Sequence, residues 1–503
     1  MKQWLNRSSK DTRWGQAIDA VALLFFVFFV LGPLFFVFSK AANLEFSPAM
    51  QEALVTSFGI AAAVTAIDLL MGIPMAWMLA RKRFPLKELV DTLIDLPLII
   101  PTSALGLSIA LFWGSSGLGL LQPGIAMIVL LHIAFTFPYV VRTTQAAMLE
   151  LDGDLARAAS TLGASPFLAF RTVWLPLVRA GAVSGALLAF TRSLGETGAT
   201  MLVAGAAKTV PILTVYYKNA APSDLNAALT LSAVFLIASA LIFVLVRQQL
   251  GVKRMRLGQV NAQLERRLSR LGQVSDGASL LFLLAIVLLP SFYFLKFTDL
   301  NFFSGPSLQA IGISFAVAGA ATALSFVFGI PLALFIASNK RGSGLVKLLN
   351  ELSMIMPTVT IGLSLALFWA GRAPEAVVLV LAHTAMIFPY FVGSVSEVLA
   401  EMDENLTQVA RTLGATPLHA FRTVVLPLIK PTLVAGLVVA FMRSVSETGG
   451  TLAVSQNIQT VPILIVNLSK AGQNAQAASA AVLLLALSIA LVLVLRWSSK
   501  KKW

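Results

Sequence analysis

The sequence predicts an all-α polytopic membrane protein built from two parallel six-helix repeats, about 12 transmembrane helices in all. Three observations predict it. Of the 503 residues, 57% are hydrophobic and 12% charged, with mean hydropathy +0.85, whereas a soluble domain is about 45–50% apolar and about 25% charged. Apolar runs of about 20 residues, long enough to cross a bilayer, recur through both halves. Segments of the first half return in the second at a nearly constant offset, as His132 does at His383.

In the first half the apolar runs lie near 18–39, 52–79, 91–114, 124–147, 176–204 and 226–247. In the second they lie near 277–296, 309–338, 346–371, 374–397, 427–454 and 475–496. The opening run, Ile18–Phe38, is longer than a signal-peptide core and lacks a clear cleavage site, so it is read as a span. The expected organisation is a first transmembrane half over 1–247, a cytoplasmic linker over 248–275 and a second transmembrane half over 276–503.

Orientation follows from the bases in short loops. Lys2, Arg7, Lys10 and Arg13 precede the first span, and Arg81, Lys82, Arg83 and Lys87 follow the second. The linker carries Arg247, Lys253, Arg254, Arg256, Arg266, Arg267 and Arg270, and the chain ends with Lys500-Lys501-Lys502 before Trp503. The alternate loops are poor in bases, so both termini, the linker and the loops after the fourth spans are expected in the cytoplasm of a cell whose inner or plasma membrane holds the protein. The net charge of +14 is this positive-inside bias, and no nucleic-acid partner is implied. An even number of spans per half makes the repeats parallel, related by an axis along the membrane normal.

The repeat is longest around Ala158–Pro176, AASTLGASPFLAFRTVWLP, which returns as Val409–Pro427, VARTLGATPLHAFRTVVLP. Each copy reads as a helix–bend–helix elbow. Gly163 and Gly414 suit a left-handed position after a short helix. Ser165 and Thr416 offer N-cap oxygens, and Pro166 and Pro417 fit the first helical turn that follows. The second short helix is expected to end near Val173, with Pro176 and Pro427 opening new membrane helices. An elbow of this kind between spans is read as a docking surface.

Ionisable groups also recur inside the fifth spans. Arg192-Ser193-Leu194-Gly195-Glu196-Thr197-Gly198 is repeated as Arg443-Ser444-Val445-Ser446-Glu447-Thr448-Gly449. Arg192 stands 16 residues past Pro176, or about 24 Å along a helix. Charges at such depth face a bundle interior or a watery path. Arg and Glu four apart share a helix face and can pair, either as bridges within each half or as gate groups that meet a solute; the two arginines are expected to supply positive potential for an anion. Gly198 and Gly449 let backbones approach closely or let the helix break. On the outer side Thr209–Leu213 repeats as Thr460–Leu464. His132 and His383 are read as polar packing groups.

The absences narrow the chemistry. There is no cysteine, hence no disulfide and no thiolate site. Histidines 132, 383 and 419 do not cluster in sequence, so no metal site, catalytic residue or cofactor is predicted. No G-x-x-x-x-G-K-[ST] loop is present, so the chain is expected not to hydrolyse ATP itself.

At the elbows the sequence resembles the permease subunits of type I, binding-protein-dependent ABC importers. Their cytoplasmic signature runs EAA, three residues, Gly, nine residues, a β-branched or similar residue, one residue, then Leu-Pro. Ala158-Ala159, Gly163, Val173 and Leu175-Pro176 stand at that spacing, as do Ala410, Gly414, Val424 and Leu426-Pro427. Arg157 and Gln408 stand where the family often has Glu, and Val409 replaces an Ala. The resemblance implies that the elbows, with Arg171 and Arg422 inside them, seat in two copies of an ATP-binding cassette subunit. It further implies that ATP-driven closure rocks the halves, and that an extracytoplasmic solute-binding protein delivers the cargo. The stretch Arg192–Thr200 is similar to that of molybdate, tungstate and sulfate permeases, while the joining of two halves in one chain resembles ferric-iron and thiamine permeases. An inorganic oxyanion is the reading taken, because pathway residues bear on the solute more directly. Twelve spans in two parallel halves also describe a major-facilitator secondary transporter, which would need no ATPase and leaves the paired elbows unexplained.

Overall fold

The computed structural model describes residues 13–40, 46–151, 154–220, 224–250, 275–299, 305–338, 340–455 and 457–500. The expected linker 248–275, apart from its ends, lies outside the described residues, as do Lys2, Arg7, Lys10 and the last three residues.

The first half contributes α1 (Ala17–Lys40), α2 (Pro48–Arg81), α3 (Lys87–Ile99), α4 (Thr102–Trp113), α5 (Ile125–Leu149), α6 (Asp154–Thr161), α7 (Phe170–Gly195), α8 (Gly198–Val203), α9 (Val210–Asn219) and α10 (Leu225–Leu250). The second half repeats the series as α11 (Ser275–Phe297), α12 (Gly305–Ala337), α13 (Ser343–Ile355), α14 (Thr358–Phe368), α15 (Glu375–Glu401), α16 (Glu404–Thr412), α17 (Phe421–Val445), α18 (Gly449–Val454), α19 (Val461–Lys470) and α20 (Asn474–Lys500). Among the described residues, 9 helices are long and apolar enough to cross a membrane unbroken. Together with α3–α4, α13–α14 and α20 they occupy the positions read from the sequence.

The third spans are not the straight rods expected over 91–114 and 346–371. The pairs α3–α4 and α13–α14 bend by 105° and 106°. Pro101 and Pro357 cause it. The residue before a proline is pushed out of the helical region, and Ile100 and Met356 are extended, with ψ 126° and 132°. Prolines act differently where a wider turn absorbs them. Single π-helical turns at Phe26–Leu31, Phe170–Trp174, Leu283–Leu288 and Phe421–Val425 each end just before Pro33, Pro176, Pro290 or Pro427. In each, the residue preceding the proline donates its N–H five residues back, as Leu175 does to Phe170 and Leu426 to Phe421. The wider ring makes room for the pyrrolidine, which would otherwise strike the carbonyl four residues earlier.

The first helix of each half packs on the other half. Phe25 of α1 stacks on Phe328 of α12 at 4.1 Å between centroids, and Phe29 stacks on Trp369 at 5.6 Å. On the other side, Ser108 of α4 donates to the Pro290 carbonyl of α11 at 2.6 Å and accepts from the Phe294 N–H at 3.0 Å. Ion pairs Asp19–Lys340 and Lys82–Asp276 fasten the same exchange near the helix ends.

Hydrogen bonds also fix which helix ends share a face. Arg81, closing α2, donates to the carbonyls of Met148 and Leu151 at the end of α5, beside the first elbow. At the opposite face the Gly124 N–H, opening α5, donates to the Val203 carbonyl closing α8 at 2.8 Å.

Candidate transport pathway and coupling elbows

The bends form as the glycines dictate. Gly163 has φ +83° and Gly414 φ +90°, the left-handed region where a side chain is penalised. The N–H of Ala164 donates to the Ala159 carbonyl at 3.0 Å, and that of Ala415 to Ala410 at 3.0 Å. These are the six-to-one bonds of Schellman caps. The Leu168 N–H donates to Ser165 Oγ at 3.2 Å and the His419 N–H to Thr416 Oγ1 at 3.3 Å, the N-caps read from the sequence. Ala158 sits exposed on α6. Leu162 and Leu413, just before the glycines, are 88% and 83% exposed, so each elbow carries a bare apolar knob. The expected stop near Val173 is absent. Pro166–Ala169 runs through the π turn holding Arg171 directly into Leu175-Pro176, and Pro417–Ala420 runs through that of Arg422 into Leu426-Pro427.

The fifth spans, expected unbroken over 176–204 and 427–454, are interrupted. α7 ends at Gly195, and Glu196 is extended (ψ 132°); α17 ends at Val445, and Ser446-Glu447-Thr448 separate it from α18. A broken helix in a membrane must have its freed backbone groups satisfied from nearby. Glu196 Oε1 accepts from the Ala199 N–H at 3.3 Å and Glu447 Oε1 from the Gly450 N–H at 3.0 Å. Each buried histidine then spans the break. His132 Nδ1 lies 2.7 Å from Ser193 Oγ and Nε2 2.9 Å from Thr200 Oγ1. His383 makes the same pair with Ser444 at 2.8 Å and Thr451 at 2.9 Å. Both ring nitrogens are thereby engaged, and among the described residues no cluster fit for a metal exists.

After the breaks the two halves meet. A Cβ at Gly198 would lie 2.3 Å from Thr448 Cβ, and one at Gly449 2.8 Å from Thr197 Cβ. Only glycine permits this reciprocal contact between the halves. On its elbow side lie two adjoining cavities of about 320 and 400 Å³, both lined by Tyr139, Arg192, Thr358, Tyr390 and Arg443. Glu196, Thr197, Glu447 and Thr448 line the second and Glu351 the first.

The symmetry of the charges is incomplete. Arg192 pairs with Glu196 at 2.8 Å and lies 5.2 Å from the Phe135 ring. The matching pair Arg443–Glu447 does not form, contrary to the sequence expectation; the Arg443 guanidinium lies 4.6 Å over the Tyr390 ring, and its Nε is buried without an acceptor. Position four residues on sets a shared face but not a bond. Both glutamates accept from the backbone of the following helix through Oε1, so that contact does not separate the halves; α17 stops one residue sooner in register than α7, at Val445 against Gly195. Sequence reasoning also missed Tyr139, Tyr390 and the Ser–His–Thr bridges, although Ser193/Ser444, Thr200/Thr451 and both tyrosines recur at the same offset as the histidines.

Two helical halves that meet at these glycines, with a cavity bearing two arginines beside the contact, fit a polytopic membrane permease. The family described as binding-protein-dependent transport system inner membrane component matches residues 69–257 and 329–502, one copy per half. The chain belongs to that family, the permeases of type I ABC importers, and the major-facilitator alternative is thereby set aside. It is 32% identical over 235 residues to the molybdate/tungstate transport system permease protein WtpB of Pyrococcus abyssi, covering 45% of this chain and 92% of the relative. It is 37% identical over 209 residues to the molybdenum transport system permease protein ModB of Mycobacterium tuberculosis, 39% of this chain and 78% of the relative. With the sulfate transport system permease protein CysT of Salmonella typhimurium it shares 39% identity over 182 residues, 34% of this chain and 66% of the relative. Each of these relatives thus matches less than half of this chain.

Proposed function

We propose that the chain forms both halves of the membrane pore of an ATP-driven importer for a tetrahedral oxyanion of the molybdate, tungstate or sulfate type. The observation that carries this reading is the cavity bearing Arg192 and Arg443. The names of the relatives support the oxyanion class. In this reading the elbows are cytoplasmic and each seats its leucine knob in one of two ATPase subunits. A binding protein on the other side delivers the anion to the outer face of the Thr197–Thr448 seal. In this reading ATP hydrolysis belongs to the partner subunits, and the cavity, on the elbow side of the contact, faces the cytoplasm.

Co-purification in mild detergent followed by reconstitution tests this. We expect two nucleotide-binding subunits per chain, and ATP-dependent uptake of molybdate, tungstate or sulfate in proteoliposomes supplied with the binding protein. A chain that purifies alone and transports on an ion gradient, or a complex that takes up only ferric iron or thiamine, overturns the reading.

A further inference from the structure

The cavity carries two arginines at equivalent repeat positions, yet their surroundings differ. Arg192 is committed. Its guanidinium is held at 2.8 Å by Glu196, whose side chain is 5% exposed. The same glutamate uses its other oxygen on the Ala199 N–H, so the pair belongs to the scaffold of the break. Arg443 lines both cavities, has no ion pair among the described residues, and keeps Nε buried without an acceptor. Glu447 makes the same backbone contact as Glu196, Oε1 to the Gly450 N–H, but its second oxygen makes no ion pair with Arg443. A cavity-lining guanidinium without an ion pair is the group that gains most from an arriving oxyanion, because Arg donors match such oxygens two at a time. A paired guanidinium must first give up its carboxylate.

We propose that anion recognition in the pore is one-sided: Arg443 is the residue that contacts the passing oxyanion, and Arg192 is a positioning residue that holds the break in α7. This rests on the oxyanion reading above. Glu351 and Glu447 also line the cavities, so among the described residues Arg443 is the lining arginine without an ion pair, and it stands beside carboxylates. Such a site makes a brief contact and lets the anion go, as a transport path requires. Tyr390 holds the guanidinium in place from below through its ring.

The test uses the whole complex of chain, ATPase and binding protein in proteoliposomes, with sulfate and molybdate as probes. Arg443→Gln should raise KM for uptake by roughly tenfold to a hundredfold, the scale of one charge-assisted hydrogen bond, and Arg443→Lys should recover part of it. Arg192→Gln should lower the maximal rate and the melting temperature while KM moves less than about threefold. The decisive variant is the double exchange Glu196→Gln with Arg443→Gln. Glutamine still accepts from the Ala199 N–H but releases the Arg192 charge, so uptake should improve over Arg443→Gln alone. Equal KM effects from the two arginines, or no improvement in the double variant, overturn the one-sided assignment and leave the oxyanion reading standing. Failure of the unaltered complex to take up sulfate, molybdate or tungstate overturns that reading itself.

Discussion

At the scale of single residues, the strongest constraints are conformational and polar. A Cβ at Gly163 or Gly414 meets nothing within 4 Å, so crowding does not explain the glycines; positive φ does. Gly163→Val and Gly414→Val should each strain the bend by about 1–2 kcal/mol and separate ATP hydrolysis from uptake, with Gly163→Asn close to the unaltered protein. Simultaneous measurement of both rates in proteoliposomes checks this, and unchanged coupling in the valine variants overturns the role of the bend. His132→Ala would leave the Ser193 hydroxyl unmatched in an apolar interior, at about 1–3 kcal/mol for a buried group left unsatisfied, while Thr200 keeps its bond to the Glu196 carbonyl. Since His383 makes the same contacts, His383→Ala should lower the melting temperature of the detergent-solubilised protein by a similar amount. Asp68 has no such twin. It is fully buried and accepts from Thr136 Oγ1 at 2.6 Å, and its position in α12 is taken by Ser325. Asp68→Asn keeps an acceptor for Thr136 and should insert and fold normally, whereas Asp68→Leu should not.

At the scale of elements, the broken fifth helix organises the pore. Its two pieces are joined by a histidine, capped by a glutamate and pressed against the opposite half at a glycine. The absence of cysteine from the chain makes the contact easy to probe. Thr197→Cys with Thr448→Cys, joined by a short bifunctional maleimide, should lock the seal and abolish uptake while each single variant transports after the same treatment. Retained uptake in the joined double variant would count against a seal that opens. Much of this was legible in advance. The repeated Arg, Glu and Gly of the fifth spans, the capping Ser165 and Thr416, and the glycine bends all follow from local rules of backbone geometry. The bend at Pro101, the π turns before Pro176 and Pro427, and the unpaired Arg443 were not. Each depends on how a proline or a side chain is received by another helix, which periodicity along one chain does not encode.

At the scale of the whole molecule, two repeats in one chain are tied by more than the linker. α1 rests on the second half and α11 on the first. Cutting the chain between 251 and 274 should therefore leave two fragments that co-purify when made together, since the exchanged helices still bind. Removing residues 1–40 should instead destabilise the second half, because Phe328 and Trp369 lose their stacking partners. Pull-down of one tagged fragment by the other checks the first expectation, and loss of association would overturn it.

The exchange of first helices also sets an order of assembly. During synthesis α1 enters the membrane long before its partners, since the ribosome must still make the stretch from Phe25 to Phe328 and Phe388. At about 5–20 residues per second that interval is on the order of 15–60 s. Through it the phenylalanine-rich face of α1 has only lipid, or the insertion machinery, for company. The later part of α1, at Val37, can already settle against Ala228 and Leu229 of α10, but its phenylalanine face is a guest without a host until the second half arrives.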